Sequence, residues 1–455
     1  MANKGARTRW GGIADGQFRP NGYFRIARQD RIFWLVDPDG GRFLSKGINS
    51  VTVEQDRIQN SERIPYVEAC KGKYRSPNDW RESTIGRISQ WGFNTLGAWS
   101  DETLATGSSL RFAVTPILNL GMSYAWQHND KNNSRNKQEF PDVFERAFAY
   151  YARSHARNLC ESRSNDPTIL GWLIDNELRW GSDWRGVDEL LTLFLNLEPH
   201  SAGRRAALGW LRKRYPDFAE FNYVWHSPAQ SWDALERLNQ LDAPYQRKPI
   251  YQQSDADHSP SLADPGFAAF AADCDAFAAL VAKRYFQLTA AAIKAADPNH
   301  LILGCRFAYK PSPGVIDASG PYCDVISFNC YDPDPSNVMD AYTAAERPCL
   351  IGEFSFRGID SGLPNTKGAG PLVATQAERA TGFRHYVTAA LRHPAVVGYH
   401  WFEYADQPAA GRFDGENSNF GTVTIEDEVY EELTQAMASV NVEAEDLHAI
   451  AHAFA

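Results

Sequence analysis

Two glutamates follow apolar segments that could place them in one reactive site. Glu177 ends the segment ILGWLIDNE, in which Asn176 precedes it, and Glu353 lies in CLIGEF. Two carboxylates that flank a glycosidic bond can hydrolyse it, because one protonates the leaving oxygen and the other attacks the anomeric carbon or activates water. Their surroundings must differ, so that one group stays protonated near neutral pH. We predict that Glu177 and Glu353 form such a pair.

The elements that must position this pair are short apolar strands alternating with helical patterns, which predicts βα units and a parallel sheet. The predicted strands are Phe43–Asn49, Asn94–Trp99, Ala113–Asn119, Ile169–Glu177, Leu301–Phe307, Val325–Tyr331, Cys349–Phe354 and Val397–Phe402. Eight such strands close into a (β/α)8 TIM barrel, whose reactive side chains lie at the C-terminal ends of the strands. Either glutamate alone could be a solvated loop residue, but strands four and seven would bring both to one mouth.

Helical patterns between these strands support the count. The predicted helices are Trp80–Trp91, Val143–Cys160, Gly266–Ala296, Gln376–His393 and Ile425–Val440. The fourth begins at Thr375-x-x-Glu378, a capping-box pattern, and ends before Pro394.

Two segments lie outside a minimal barrel, which we assign to residues 43–455. Residues 1–42 contain GYFRI and RIFWLVDPDGGRF, which predict an N-terminal β-hairpin with an Asp-Gly-Gly turn that packs on the barrel. Residues 182–263 are a predicted helical insertion after strand four that carries Trp210, Trp225 and Trp232. Because loops after barrel strands lie on the catalytic face, we expect the insertion to line the cleft. A purely stabilising subdomain is the alternative.

Other side chains are predicted at the same mouth. Asn176 could hydrogen-bond a sugar hydroxyl, and Tyr331 could hold the Glu353 carboxylate through its O–H. His400 and Glu403, near the end of strand eight, are further candidates for contact with the sugar. A buried barrel histidine and a solvated loop carboxylate are the alternatives for these last two.

Tryptophans beside turn or polar residues form a second group of candidates. They are Trp99, Trp126, Trp180, Trp184 and Trp401. A flat ring can stack on the C–H face of a sugar, whereas ordinary packing is the alternative for each. We predict that Trp99, Trp180 and Trp401 bind substrate, with Trp401 as the floor under the sugar.

Several motifs resemble those of β-agarases, within a clan of retaining (β/α)8 glycoside hydrolases. GWLIDNELRWG (Gly171–Gly181) is similar to their acid/base strand, and LIGEFSFRG (Leu350–Gly358) to their nucleophile strand. FWLVDPDGGRFLSKGINSV (Phe33–Val51) resembles the entry to their first strand, and YCDVISFNCYD (Tyr322–Asp332) resembles the sixth. The insertion stretch around Trp225 is similar to one in agarases and in some β-galactosidases of the clan.

The resemblance runs from about residue 22 to 405 and implies a role for each matching residue. Glu177 would be the acid/base and Glu353 the nucleophile. Asn176 would bind the 2-hydroxyl, Tyr331 would steady Glu353, and Trp401 would form the floor of the −1 subsite.

Two further positions bear on the resemblance. Asn49 matches a strand-one asparagine that usually faces the site. Many clan members carry an arginine at the end of strand two, where this chain has Trp99-Ser100.

The function implied is a retaining hydrolase of β-linked galactoside-type oligo- or polysaccharides, agarase-like and exo-acting or oligosaccharide-preferring. Three alternatives stay open. The enzyme could act on a glucoside, mannoside or furanoside, it could be a transglycosylase on the same scaffold, or the barrel could bind carbohydrate without catalysis.

Composition excludes several other classes. The 455 residues are 43% hydrophobic and 22% charged, which suits a globular chain that buries a core. The net charge of −10, without a basic cluster, argues against nucleic acid and anionic membranes as partners. No apolar run approaches the roughly 18 residues that a membrane helix needs. The start MANKGARTRWGG lacks the apolar region of a secretory signal, so we expect a cytoplasmic location.

Neither a metal nor an organic cofactor is expected. The seven cysteines include no CxxC pair, so buried free thiols are predicted rather than disulfides. Cys305, Cys323, Cys330 and Cys349 match no zinc spacing, and the chain has no HExxH, GxGxxG or P-loop motif. Oligomeric state is not predicted.

Overall fold

The structure is a computed structural model that describes residues 6–106, 111–128, 140–247, 264–343 and 346–451. Its β-strands are β1 (Arg25–Gln29), β2 (Ile32–Val36), β3 (Arg42–Phe43), β4 (Ser45–Ile48), β5 (Thr95–Leu96), β6 (Ala113–Val114), β7 (Gly171–Trp172), β8 (Leu301–Ile302), β9 (Phe307–Ala308), β10 (Ile326–Asn329), β11 (Cys349–Phe354), β12 (Arg357–Gly358), β13 (Leu372–Val373) and β14 (Val396–Trp401). Its α-helices are α1 (Pro65–Lys73), α2 (Pro77–Gln90), α3 (Leu120–His128), α4 (Arg146–Cys160), α5 (Leu190–Leu195), α6 (Ala202–Arg214), α7 (Phe218–Trp225), α8 (Trp232–Glu236), α9 (Pro265–Ala296), α10 (Pro313–Ser319), α11 (Ser336–Thr343), α12 (Gln376–Leu391) and α13 (Glu431–Ala449).

The fold is α/β with a parallel sheet. Seven strands pair in parallel in the order β6-β5-β4-β14-β11-β10-β9, and β7 pairs with β8, also in parallel. Each of the eight segments that the sequence predicts as strands overlaps at least one of these strands. In the predicted segment that ends at Glu177, the strand β7 covers Gly171 and Trp172, and single parallel bridges add Ile169 and Leu173. Glu177 itself has a positive φ of 51°, so the chain has already turned where its side chain leaves the strand.

A small antiparallel sheet precedes the parallel strands. β1 pairs with β2 through a turn at Asp30 and Arg31, and the Asp-Gly-Gly segment turns the chain between β2 and β3. Asp37 accepts hydrogen bonds from the backbone N–H groups of Asp39 and Gly41 in that second turn. A buried cluster joins this segment to the amino ends of the parallel strands, and its members include Trp10, Phe24, Leu35, Phe43, Leu301, Val325, Leu350 and Val397.

Helices begin where the sequence provides caps. Ser76 and Asp79 form a capping box at the start of α2, with Pro77 in the first turn. Thr375 accepts a hydrogen bond from the backbone N–H of Glu378 at the start of α12. The Glu378 carboxylate accepts from Ala374 rather than from Thr375, so the predicted box is only half formed.

The last predicted helix, Ile425–Val440, is wrong at both ends, since α13 covers Glu431–Ala449. Asp427 explains the late start. It has a φ of 62°, and its buried carboxylate accepts hydrogen bonds from Tyr66 and Arg87 at 2.7 Å each. Those contacts require a turn rather than a helix at this position.

Helix α9 is long and apolar enough to cross a membrane by length and composition, which the sequence analysis did not anticipate. It is the one such helix in the described ranges, and half of its most apolar window is buried. The helix packs against α4 and α10, and Phe277, Val281 and Phe286 are buried in the core. Core packing therefore accounts for its apolar composition.

The described part of the insertion contains α5 to α8, and residues 248–263 of it lie outside the described residues. Asp273 of α9 holds these helices in place. Its carboxylate accepts hydrogen bonds from Tyr215 at 2.6 Å and from Trp225 at 3.0 Å. Trp232 packs edge-on against Phe218 with ring centroids 5.2 Å apart.

All seven cysteines of the chain are buried free thiols, as predicted.

Candidate active site

A large cleft of about 1520 Å³ lies at the carboxyl ends of the parallel strands. Asn176, Glu177 and Glu353 line it, together with Tyr331 and Trp99. The structure thus brings together five of the residues that the sequence selects.

Glu353 lies in β11 and is 5% exposed. One carboxylate oxygen accepts a hydrogen bond from the Tyr331 hydroxyl at 2.7 Å, and the other forms an ion pair with the guanidinium of Arg306. Charge-assisted hydrogen bonds are stronger than neutral ones and fix orientation. Glu353 is therefore oriented by two donors, one of them a cation.

The sequence analysis did not select Arg306. It follows β8 and is fully buried, and its guanidinium lies 4.7 Å from the ring centroid of Trp99. The end of strand two, where many clan members carry an arginine, supplies the aromatic ring instead. Arg306 lies near the end of the predicted strand Leu301–Phe307, and that position alone could have marked it as a candidate site residue.

Glu177 follows β7 and is half-buried in the cleft. Burial, together with the negative charge of Glu353, raises the pKa of Glu177 to about 7. A hydrogen bond from the Asn329 amide to Glu177 at 2.8 Å opposes that shift, because it favours the ionised carboxylate. At neutral pH this carboxyl group can therefore both give up and accept a proton.

Asn329 connects the two glutamates through the sheet. It ends β10 and is the register partner of Glu353 in β11, while its amide reaches Glu177. Sequence reasoning missed it, although it lies two residues before Tyr331 at the end of the same predicted strand.

Asp175 supports the acid side from below. It accepts hydrogen bonds from the backbone N–H groups of Gly121 and Met122 at 2.7 and 2.9 Å, and also from the Tyr285 hydroxyl. Burial raises the pKa of Asp175 to about 6. The residue ties the chain that follows β7 to the start of α3.

Two predicted sugar contacts at β14 are corrected by the structure. Trp401 is fully buried, and its ring packs between β14 and α12, against Phe354 and Phe383. Phe402, the next residue, lines the cleft in its place. His400 is also fully buried and shares a 2.8 Å hydrogen bond with Ser45, and burial lowers the pKa of His400 to about 3.

Two further predicted contacts, Asn49 and Glu403, support the cleft from behind its described lining, whereas Trp180 lines a smaller neighbouring cavity. Asn49 donates to the backbone oxygens of Gly352 and Trp401 at 2.9 and 3.1 Å. Trp180 is 7% exposed and stacks on Phe286, with centroids 5.6 Å apart. Glu403 is 1% exposed and accepts a hydrogen bond from Gln407. The placements of Asn49 and Glu403 correct the prediction that these two residues contact the sugar directly.

Several carboxyl groups lie around Arg412 at one wall of the cleft. The Arg412 guanidinium lies 2.7 Å from Glu416, 3.1 Å from Asp414, 3.6 Å from Asp56 and 4.0 Å from Glu403. Four carboxyl groups thus surround one cation. Carboxyl groups at a cleft wall can hydrogen-bond the hydroxyls of a sugar.

Two exposed aromatic side chains line the same cleft. Trp184 is 56% exposed and Phe413 is 75% exposed. Each stacks against a neighbouring arginine, Arg185 at 4.6 Å and Arg412 at 5.3 Å. Exposed rings in a polar cleft suit the apolar face of a sugar.

Within the described ranges, no group of three or more His, Cys, Asp or Glu side chains is arranged to hold a metal ion.

Two β-agarases of Vibrio sp. (strain JT0107) are similar to this chain. Beta-agarase B is 25% identical over 505 residues, which cover 96% of this chain and 50% of that protein. Beta-agarase A is 29% identical over 481 residues, which cover 90% of this chain and 44% of that protein. The chain spans about half the length of the curated relatives it matches.

Solved structures share the fold. PfGH50B superposes with a TM-score of 0.78 at 26% identity, covering 97% of this chain and 69% of that one. An exo-beta-agarase superposes with a TM-score of 0.77 at 23% identity, covering 97% and 68%, and at that identity the likeness shows the fold alone. No protein-family model matches the chain. The chain is agarase-like, and the resemblance predicted from its sequence is confirmed.

Proposed function

We propose that this protein is a retaining glycoside hydrolase that cleaves β-linked galactoside-type oligo- or polysaccharides. The observation that carries the proposal is the pair of glutamates in one cleft with unlike surroundings. Glu353 contacts Arg306 and Tyr331, whereas burial raises the pKa of Glu177 to about 7. Unlike environments are what separate the roles of two carboxyl groups in this chemistry.

The proposed reaction has two displacements. In the first, Glu177 donates its proton to the glycosidic oxygen while Glu353 attacks the anomeric carbon, so the bond to the leaving sugar breaks and a glycosyl ester forms on Glu353. In the second, Glu177 takes a proton from water, which attacks the same carbon and releases Glu353. Arg306 and Tyr331 hold the Glu353 carboxylate in position for both steps.

A closed (β/α)8 barrel is part of the proposal. It is supported by parallel bridges from Val114 to Ile169 and from Ile117 to Leu173, which connect the edge at β6 to the chain around β7. A backbone hydrogen bond from Val325 to Ile302 supports closure on the other side. Residues 1–42 would pack on this barrel, and the insertion 182–263 would line its cleft, as Trp184 does.

The substrate class rests on the β-agarase relatives and on the character of the cleft. Its aromatic side chains Trp99, Trp184, Phe402 and Phe413 suit sugar faces, and the carboxylates around Arg412 suit an uncharged sugar. Action at chain ends or on short oligosaccharides rests on the resemblance. Oligosaccharide or polysaccharide would be the partner molecule.

The test is a screen of the purified protein against aryl β-glycosides and against oligosaccharides derived from agarose and carrageenan. We expect release from a β-galactoside and from the agarose oligosaccharides, and no release by Glu353→Ala. Single-sugar or disaccharide products from the start of the reaction would support action at chain ends.

Two results would change the proposal. Release from a glucoside, mannoside or furanoside but from no galactoside would keep the mechanism and discard the substrate. Absence of any turnover, with carbohydrate still bound, would favour a binding protein on the same fold.

A further inference from the structure

Trp184 is an exposed aromatic residue that is fixed to the acid side of the cleft. It is 56% exposed, and the guanidinium of Arg185 lies 4.6 Å from its ring centroid. A ring that is stacked by an arginine on one side and exposed elsewhere can receive the C–H face of a sugar.

Arg185 fixes this ring relative to Glu177. Its Nε and Nη2 both donate to one carboxylate oxygen of Asp183, at 3.0 and 2.6 Å. Its Nη1 donates to the backbone oxygen of Glu177 at 2.7 Å. An antiparallel bridge between Asp183 and Gly186 closes the turn that carries both residues. The position of Trp184 is therefore coupled to that of Glu177 through two short links.

The position of a general acid defines which sugar is nearby. Glu177 must give its proton to the oxygen that joins two sugars, so the departing sugar lies on the side of Glu177 and the retained sugar lies over Glu353. We propose that Trp184, braced by Arg185, is the stacking platform for the departing sugar, a neutral pyranose of a β-linked chain. This inference rests on the proposed function, since it takes Glu177 as the acid.

A smaller cavity of about 60 Å³ adjoins this platform. Trp184 and Tyr309 line both spaces, so the cavity continues the cleft on the acid side. Asp183, Lys310 and Ser312 also line it, and the buried Ser312 hydroxyl has no hydrogen-bond partner among the described residues. These groups offer hydrogen bonds to substituents of the departing sugar.

Both arginines near the platform are already paired with carboxylates. Arg185 is already paired with Asp183 through two N–H groups, and Arg247 in the adjoining cavity is paired with Glu189 and Asp275. Cations that are already neutralised in this way give little attraction to a sulfate or carboxylate.

The experiment compares two substrates that share the retained sugar. An aryl β-galactoside has a phenol as its leaving group, whereas an agarose oligosaccharide has a sugar there. We expect Trp184→Ala to lower the ratio of kcat/KM for the oligosaccharide to that for the aryl galactoside by about tenfold. Trp184→Phe should recover part of that ratio. Trp126→Ala is the matched control, because Trp126 is 68% exposed and is not among the described residues that line the cleft.

A second readout follows the reverse direction. When a sugar acceptor is added, it must enter the same platform to intercept the glycosyl ester, so Trp184→Ala should lower transfer to that acceptor relative to transfer to water. An unchanged ratio in both readouts, or an equal loss on both substrates, would overturn the assignment of Trp184. If Glu353→Ala keeps wild-type turnover, the proposed function itself fails and the inference falls with it.

Discussion

Glu353 and Glu177 place the same kind of side chain in the same cleft, but the surroundings of their two carboxyl groups differ. Glu353 lies inside a paired strand, and its carboxylate contacts a buried arginine and a tyrosine hydroxyl. Glu177 lies beyond the end of its strand, and its described hydrogen-bond donor is the neutral amide of Asn329. Burial beside another carboxylate favours the protonated form of Glu177 and raises its pKa.

The difference indicates how one sheet can separate a nucleophile from an acid. Glu353 lies within a paired strand, and its two donors come from the same side of the sheet. Tyr331 follows the neighbouring strand β10, and Arg306 directly precedes β9, which lies beyond β10. A residue after a strand depends on its loop, so Glu177 is coupled to Arg185 and Trp184 of the insertion. In the proposed mechanism, the sheet would support Glu353 as the nucleophile, and the loop that would face the departing sugar would support Glu177 as the acid.

The largest expected effect comes from removing Glu353. Glu353→Ala should lower kcat by at least about 10⁴-fold on every substrate, because no covalent step is then possible. Steady-state kinetics on an aryl β-galactoside and on an oligosaccharide would measure it. A loss confined to one of the two substrates would mean that the nucleophile lies elsewhere.

Removing Glu177 should have an effect that depends on the substrate. Glu177→Ala should lower kcat/KM by about 10²–10⁴-fold for oligosaccharides, whose leaving oxygen needs a proton. Dinitrophenyl glycosides leave without that proton, so their first step should be largely retained, and added azide should speed the second. Equal loss on both substrates would contradict the assignment of Glu177 as the acid.

The two donors on Glu353 should differ in importance. Arg306→Leu removes a charged donor and should lower kcat by roughly 100-fold, with Arg306→Lys recovering part of it. Tyr331→Phe removes a neutral donor at the same carboxylate and should cost about tenfold. KM should change less than kcat in both variants, and thermal unfolding would show whether each variant is folded. A larger loss in Tyr331→Phe than in Arg306→Leu would reverse our comparison.

The smallest effect is a shift in pH dependence. Because the pKa of Glu177 is raised to about 7, kcat/KM for oligosaccharides should fall as pH rises above 7 and the acid loses its proton. The Asn329 amide favours the ionised form of Glu177, so Asn329→Ala should raise the pKa of Glu177 further. The fall of kcat/KM on the basic side of the pH profile should then move to higher pH by up to about one pH unit. Asn176→Ala, another amide of the cleft, should leave that fall in place. A downward shift in Asn329→Ala would contradict this reading of the hydrogen bond.

The sequence identified the parts of this site that strand pattern determines. Apolar segments locate each parallel strand, and the end of each strand locates Glu177, Glu353 and Tyr331 near the mouth. It could not determine which neighbouring side chain faces the cleft. Trp401 was preferred, yet the chain after β14 directs Phe402 to the cleft and packs Trp401 against α12.

Loop positions were hardest to predict. Trp180 and Trp184 are four residues apart and equally aromatic, but Trp180 is buried among Tyr285, Phe286 and Phe307 while Trp184 is exposed. The tight turn stabilised by the contact between Asp183 and Arg185 keeps Trp184 exposed. Tertiary contacts of this kind leave no periodic pattern in a sequence.

The most direct measurement is to identify the residue that bonds to the sugar. The protein would be incubated with a dinitrophenyl 2-deoxy-2-fluoro-β-galactoside, whose glycosyl ester is slow to hydrolyse, and its peptides would be analysed by mass spectrometry. Our account predicts one fluorogalactosyl group, carried by the peptide that contains Glu353 and absent in Glu353→Gln. A label on another carboxylate, or turnover of the parent galactoside without any label, would contradict it.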